Sequence, residues 1–174
     1  PFKVEILSLL DEIDPLAEKI GAVNTVVNQK GVLKGYNTDG AGALEALKEI
    51  TPVKDKTILI LGYGGAARPI AFALSQEKPK AIYIAGRKES EAGKLAKEIQ
   101  DKTGILTDRQ PWQQALDYDI LINTTPAGMW PHAQETPWPE NLLIPETVVF
   151  DIVYRPKETL LLSQAKKKGC VLVY

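Results

Sequence analysis

The chain has 174 residues, of which 44% are hydrophobic and 25% charged, so it can form about one domain with a buried core. A net charge of −1 gives no basic footprint, which argues against nucleic acid as a partner. The longest apolar runs, about five residues each, are far shorter than a membrane span. The single cysteine, Cys170, cannot form an internal disulfide, so we expect a cytoplasmic location.

The first third of the chain predicts a helix followed by a hairpin. Residues 4–20 are predicted to be helical because four apolar side chains, Ile6, Leu9, Leu10 and Ile13, share one face. Asp14 and Pro15 predict a helix restart, with the aspartate as N-cap and the proline at the first helical position. Two apolar runs, 23–27 and 32–36, flank a turn sequence and predict a β-hairpin.

A second helix is predicted over 39–50, and a proline with neighbouring charges then marks a boundary near residue 51. From residue 57 onward, strands and helices alternate. Strands are predicted at 57–61, 81–85, 105–107, 119–123, 147–151 and 170–173, and helices at 66–76, 90–102, 111–116 and 158–168. This alternation predicts an α/β fold with a Rossmann-like, doubly wound parallel sheet. The stretch 129–145, rich in proline and tryptophan, is predicted to be a surface loop near the cofactor.

A glycine-rich turn follows the first of these strands. Gly62, Gly64 and Ala67 match the spacing G-x-G-x-x-G/A, with a buried apolar strand before them and a helical pattern after them. In that context the first glycine permits a tight turn, the second lets the backbone approach a pyrophosphate, and the small third residue lets the helix pack on the strand. The helix N-terminus then offers free N–H groups to the phosphates. A dinucleotide site is predicted here.

The end of the next strand indicates which dinucleotide is bound. An NAD site usually has an acidic residue there, about 20 residues after the glycines, to hold the ribose hydroxyls. This chain has Gly86, Arg87 and Lys88 instead. Because a guanidinium can pair with a 2′-phosphate that a carboxylate would repel, NADP is favoured over NAD.

Three polar segments before residue 57 are candidates for chemistry. They contain Lys3, Asn24 and the pair Thr38 and Asp39. Taken singly, each has a structural interpretation: a solvated lysine, a turn-forming asparagine and a helix cap.

Together with later segments, these residues resemble shikimate dehydrogenase. The motifs that carry the resemblance occur in the family's order: Pro1-Phe2-Lys3, Ile20-Gly21-Ala22-Val23-Asn24-Thr25, Gly35-x-Asn37-Thr38-Asp39-x-x-Gly42, Leu61-Gly62-x-Gly64-Gly65-Ala66-Ala67-Arg68, Asn123-Thr124-Thr125-Pro126-x-Gly128-Met129 and Asp151-x-x-Tyr154-x-Pro156-x-x-Thr159-x-Leu161-Leu162. They span nearly the whole chain, so they are far more specific than the glycine pattern alone.

The resemblance implies NADP-dependent reduction of 3-dehydroshikimate to shikimate, in aromatic amino-acid and chorismate biosynthesis. It implies that Lys3 and Asp39 are catalytic and that Asn24 and Tyr154 bind the small-molecule substrate. The cofactor-binding residues that it implies are Gly62, Gly64, Gly65, Ala66, Ala67, Arg87, Thr124, Thr125, Met129 and Val153. It also implies a division into residues 1–50, a remnant of a substrate-binding domain, and residues 51–174, an NADP-binding domain.

Departures from the family pattern leave alternatives open. The family usually has Asn-Arg-Thr where this chain has Gly86-Arg87-Lys88, and its conserved segments extend beyond both ends of this chain, so we expect a fragment. The alternatives are an NADP-binding module that is inactive alone, or a relative that acts on quinate as well as shikimate. No metal is expected, because His132, the only histidine, has no companions at ligand spacing. The sequence leaves open whether the protein is a monomer or a homodimer.

Overall fold

The computed structural model describes residues 2–174, so Pro1, the first residue of the resemblance, lies outside the described residues. Strands in this part of the chain are β1 Glu12–Ile13, β2 Thr25–Gln29, β3 Val32–Tyr36, β4 Thr57–Leu61, β5 Ala81–Ala85, β6 Thr107–Gln110, β7 Ile120–Asn123, β8 Val148–Asp151 and β9 Val171–Val173. The α-helices are α1 Pro15–Ile20, α2 Thr38–Lys48, α3 Ala67–Ser75, α4 Glu89–Thr103 and α5 Leu160–Lys167, and 3-10 helices cover Glu5–Leu9 and Glu140–Leu142.

The larger sheet has six parallel strands in the order β6-β5-β4-β7-β8-β9. The chain therefore starts in the middle with β4, builds outward to one edge and then returns to build toward the other. This confirms the predicted doubly wound sheet. In such sheets ligands bind outside the carboxyl ends of the strands, at the point where the strand order reverses, which here lies between β4 and β7.

Side chains of the central strands alternate between two buried faces. In β4, Ile58 and Ile60 pack on one face with α2, α3 and α4, whereas Leu59 and Leu61 pack on the other with α5. All four are fully buried. A strand covered on both sides reads as a continuous apolar run, as the sequence indicated.

The segment between β7 and β8 covers part of the second face. Trp138 is fully buried in that core, and its indole N–H donates to the carbonyl of Leu142 at 3.2 Å. The prediction of a surface loop over 129–145 is therefore wrong for this tryptophan, whereas Trp130 is 79% exposed. Burial of one large indole in the core fixes the base of the segment.

The smaller sheet consists of β1, β3 and β2, with the predicted hairpin antiparallel and β1 parallel to β3. Within residues 2–174 no helix is both long and apolar enough to cross a membrane.

The prediction of helix over 4–20 is wrong in its first part. Only the 3-10 helix Glu5–Leu9 forms there, and β1 then pairs Glu12 with Lys34. The Asp11 carboxylate also accepts from the N–H of Leu33 at 2.7 Å. Pairing with β3 therefore overrides the helical periodicity of this segment. Leu9, one of the apolar residues of the predicted helical face, is 74% exposed. The restart prediction is confirmed, because Asp14 accepts from two N–H groups of α1.

Two further boundaries differ from prediction around β6. The expected helix at 111–116 does not form in the described chain, because the Gln110 amide donates to the carbonyls of Gln114 and Ala115 and Gln113 has a φ of 56°. The expected strand at 105–107 shifts to Thr107–Gln110. On this edge strand only Thr107 and Gln110 are buried, so the strand itself has no apolar run. The predicted bounds were wrong because they followed the apolar residues just before it.

Candidate functional site

The glycine turn is shaped by contact with the loop after β7. Gly62 has a φ of 109°, and a Cβ there would lie 2.5 Å from the Thr124 hydroxyl oxygen. That hydroxyl donates to the carbonyl of Leu61 at 2.6 Å. A residue with a side chain would have to adopt strained backbone and displace the threonine, so glycine is required here on steric grounds.

The next two glycines leave the backbone open instead. A Cβ at Gly64 or at Gly65 would meet no described heavy atom within 4 Å. Ala66 is the N-cap of α3, and in the described chain no side chain caps this helix. In the described chain the N–H groups of Gly65, Ala66 and Ala67 have no hydrogen-bond partner and can bind an anion, whereas the N–H of Arg68 donates to the carbonyl of Gly64 at 3.4 Å and Pro69 has no N–H. Ala67, the third small residue of the pattern, is fully buried.

A cleft of about 560 Å³ opens above this turn. Among the predicted cofactor residues, it is lined by Gly62, Gly64, Arg87, Thr124 and Thr125. Four more lining residues belong to the stretch 129–145 that was predicted to lie near the cofactor: His132, Glu135, Thr136 and Pro137. The lining residues to which the sequence assigned no role are Tyr63, Gly86, Trp112, Gln113, Pro126 and Ala127. Trp112 lies in the segment 111–116 that was predicted to be a helix, and that pattern gave no sign that the segment returns to the glycine turn.

Polar side chains at the ends of β7 and β8 hold the far wall of the cleft. The Asn123 carbonyl oxygen accepts from the N–H and the hydroxyl of Thr125, and its amide donates to the Asp151 carboxylate at 2.9 Å. Asp151 also accepts from the Thr159 hydroxyl at 2.7 Å and from the N–H of Val153 at 3.1 Å. Burial raises the pKa of the Asp151 carboxyl above its ordinary value of 3.8, although these hydrogen bonds oppose the change.

The remaining predicted cofactor and substrate residues lie outside the lining of this cleft. Val153 is 7% exposed and buried beside Asp151, whereas Met129 is 42% exposed. Tyr154 is 79% exposed, with the Arg155 guanidinium 6.0 Å from its ring centroid. Gly65, Ala66 and Ala67 lie in the turn and the start of α3, next to the lining residues.

The structure brings three of the predicted substrate-side residues together. The Lys3 ammonium donates to Asp39 Oδ2 at 2.7 Å, and the Asn24 amide donates to Asp39 Oδ1 at 2.7 Å. The side chains of Lys3 and Asp39 are 45% and 37% exposed, so both remain accessible. One ammonium and one carboxylate, already aligned, can donate to and accept from the same small polar molecule.

Hydrogen bonds to the backbone explain why these three side chains meet. The N–H of Val23 donates to the backbone carbonyl of Lys3 at 2.8 Å, which ties the N-terminal segment to the residue before Asn24. The Asn24 side-chain oxygen, Oδ1, accepts from the N–H of Thr38 at 3.0 Å, at the start of α2. Asn37 caps that helix by accepting from the N–H of Asp39 at 3.2 Å.

Close packing joins this cluster to the glycine turn. A Cβ at Gly40, next to Asp39, would lie 2.3 Å from the carbonyl oxygen of Pro69 in the first turn of α3. Arg68, also in that turn, pairs with both Glu98 carboxylate oxygens at 2.5 Å and donates to the carbonyl of Ile20 at the end of α1. The helices α1 and α2, which directly follow β1 and β3 of the small sheet, therefore pack on the start of α3, next to the glycine turn.

The chain matches known proteins along most of its length. The family model described as shikimate / quinate 5-dehydrogenase matches residues 45–136. A shikimate dehydrogenase (NADP(+)) of Bacillus cereus (strain G9842) is 45% identical over 176 residues, covering 99% of this chain and 64% of that protein.

Solved structures match it equally well. The ligand-free 5-ketofructose reductase of Gluconobacter sp. strain CHM43 superposes with a TM-score of 0.94 at 41% identity, covering 99% of this chain and 64% of that one. A shikimate dehydrogenase in complex with NADP+ superposes with a TM-score of 0.93 at 44% identity, covering 99% and 62%. The chain thus spans somewhat less than two thirds of the length of these relatives.

Proposed function

The chain belongs to the shikimate / quinate 5-dehydrogenase family, and from that premise we propose that it serves the NADP-dependent reduction of 3-dehydroshikimate to shikimate. The observation that carries the proposal is the ion pair of Lys3 and Asp39, joined by Asn24, beside the helix that begins at the glycine turn. The 45% identical relative named as an NADP-dependent shikimate dehydrogenase supports the same reaction.

The residues of the cleft fit a dinucleotide. Space at Gly64 and Gly65 lets a pyrophosphate approach the uncapped start of α3, whose dipole favours negative charge. Arg87, exposed at the mouth of the cleft, would pair with the 2′-phosphate of NADP. Thr124 and Thr125 would hold the nicotinamide side, together with Met129 and Val153 from the adjoining segments.

The substrate would be bound by the polar cluster. We propose that the Lys3 ammonium hydrogen-bonds the ketone oxygen, where negative charge develops during reduction, and donates the proton that completes the new hydroxyl. Asp39 Oδ2 keeps that ammonium oriented through the 2.7 Å contact, and the carboxylate accepts from a substrate hydroxyl. Asn24 and Tyr154 would contact other substrate hydroxyls. When bound, NADPH supplies the hydride to the ketone carbon.

The wider setting follows from the same assignment. We propose that residues 1–50 belong to the substrate-binding part and residues 51–174 form the NADP-binding part. A cytoplasmic location is supported by the single free cysteine, Cys170, which is half-buried. A small-molecule substrate, with neither nucleic acid nor membrane as a partner, suits a cleft of about 560 Å³ and a net charge of −1.

Two observations favour alternatives. The family description includes quinate, so a relative that oxidises quinate remains a candidate, and the 5-ketofructose reductase extends the list of ketones handled on this fold. The match to 64% of the relative's length favours a second candidate, an NADP-binding module that does not turn over substrate by itself.

A lysine substitution tests the catalytic assignment. We expect Lys3→Ala to lower the rate of NADPH oxidation with 3-dehydroshikimate at least about 100-fold, the scale of a lost general acid, with NADPH affinity almost unchanged. The matched control is Lys54→Ala, an exposed lysine in the connection before β4.

Each result decides between the candidates. Unchanged turnover in Lys3→Ala would remove this lysine from the mechanism. NADPH binding by the wild-type chain without turnover of 3-dehydroshikimate or 5-ketofructose with NADPH, or of quinate with NADP+, would support the binding module. Turnover of one of the other two substrates alone would replace the proposed one.

A further inference from the structure

The ring of Tyr63 lies directly over the backbone of Gly86. A Cβ built on Gly86 would lie 2.4 Å from Tyr63 Cδ1 and 2.5 Å from Cε1, closer than any real Cβ contact. Gly86 is buried, Tyr63 is half-buried, and both line the cofactor cleft beside Arg87. The tyrosine of the glycine turn therefore fills the space that a side chain at position 86 would need.

Position 86 has a specific place in a dinucleotide fold. It directly follows β5, the strand whose end normally supplies the side chain that holds the adenosine ribose. Here that position has no side chain, and the adjacent ring comes from β4's glycine turn. The contact to the adenosine ribose that the residue after this strand usually makes must therefore come from another residue in this chain.

We propose that Tyr63 forms the wall against which the adenosine ribose packs, in place of a side chain from the end of β5. The inference rests on the proposed NADP site and adds to it a residue that binds the nucleotide without distinguishing NADP from NAD. Tyr63 acts on the part common to NADP and NAD, whereas Arg87 acts on the 2′-phosphate alone. Gly86 is required because it leaves room for the ring.

The ring's position makes two consequences measurable. Removing the ring exposes the ribose to water and weakens both nucleotides by a similar factor, because both carry the same ribose. Adding a side chain at Gly86 pushes the ring away, so its effect depends on whether the ring is present. Residues in direct contact give such non-additive effects in a double-mutant cycle.

The experiment measures the dissociation constants of NADPH and NADH by titration calorimetry. Four proteins are compared with the wild type: Tyr63→Ala, Gly86→Asn, the double variant and Tyr174→Ala. The last is the matched control, because Tyr174 is 55% exposed and follows β9 at the far edge of the sheet. Circular dichroism without nucleotide checks that each variant is folded, and Tyr63→Leu replaces Tyr63→Ala if the alanine variant unfolds.

We expect Tyr63→Ala to weaken NADPH and NADH about tenfold each, which corresponds to a contact of about 1.4 kcal/mol. Gly86→Asn weakens both in the wild-type background and weakens neither when the ring is absent. Unchanged or tighter binding by Tyr63→Ala would overturn the inference, as would equal effects of Gly86→Asn in both backgrounds. If the wild type binds neither nucleotide, the proposed function itself fails.

Discussion

Gly62 and Gly64 stand two residues apart in one turn, yet alanine should affect them in opposite ways. At Gly62, alanine has to adopt a φ of 109°, and its Cβ would lie 2.5 Å from the Thr124 hydroxyl oxygen. Backbone strain of this kind costs roughly 1–3 kcal/mol, and a forced shift in a packed site costs a similar amount. We expect Gly62→Ala to lower the free energy of unfolding by about 2–5 kcal/mol.

At Gly64 the backbone has no positive φ, and a Cβ would meet no described atom within 4 Å. Gly64→Ala should therefore change the free energy of unfolding by less than about 0.5 kcal/mol, as for an ordinary surface substitution. Its methyl group would stand where the backbone has to approach the pyrophosphate, so NADPH binding should fall at least about tenfold.

Urea denaturation followed by circular dichroism measures the first effect, and NADPH titration measures the second. Gly42→Ala is the control for NADPH binding, because its Cβ also meets no described atom within 4 Å and Gly42 lies in α2, outside the lining of the cleft. A Gly62→Ala protein as stable as the wild type would refute the steric argument. A Gly64→Ala protein that binds NADPH normally would refute the assignment of this turn to phosphate.

Two carboxylates, the half-buried Glu98 and the fully buried Asp151, give further predictions, both measured as unfolding free energy against pH. Burial acts to raise the pKa of Glu98, but its hydrogen bonds with Arg68 and Lys102 outweigh burial and lower that pKa below 4.5. Glu98→Gln should therefore cost about 1 kcal/mol at pH 7, and the cost should vanish as the pH falls through the lowered pKa; a cost independent of pH would contradict this. The pH dependence expected for Asp151 is the reverse. Burial raises the pKa of its carboxyl, so the stability that it contributes is fully present below pH 3.8 and is lost as the pH rises through the raised pKa. Asp151→Asn should gain stability relative to the wild type as the pH rises through that range. A difference in unfolding free energy that does not change with pH would refute the raised pKa of Asp151.

Local pattern sufficed wherever the burial of a segment was uniform. The strand Thr57–Leu61 and the glycines after it were predicted with correct bounds, because a fully buried strand reads as a continuous apolar run. Short segments whose partners are distant in sequence were mispredicted. Glu12–Ile13 forms a strand only because β3 lies beside it, which a periodicity within 4–20 cannot reveal.

The candidate site was predicted only in part, because its contacts also join segments that are distant in sequence. The resemblance identified Lys3, Asn24 and Asp39 as site residues. Their contacts at 2.7 Å form only because the N-terminal segment meets the hairpin and α2. Tyr63 was not predicted to line the cleft, because the G-x-G spacing leaves the residue between Gly62 and Gly64 unspecified. A usable signal was present for Asn123 and Asp151, since polar residues that end apolar parallel strands lie at the edge where ligands bind.

The most direct test of the account compares the dissociation constants of NADPH and NADH for the wild type and for Arg87→Ala. If NADP lies across the glycine turn with its 2′-phosphate at Arg87, the wild type prefers NADPH at least about tenfold, the worth of one charged contact. Arg87→Ala then loses most of that preference while NADH binding stays the same. Equal affinity of the wild type for both nucleotides, or equal weakening of both by Arg87→Ala, would contradict it.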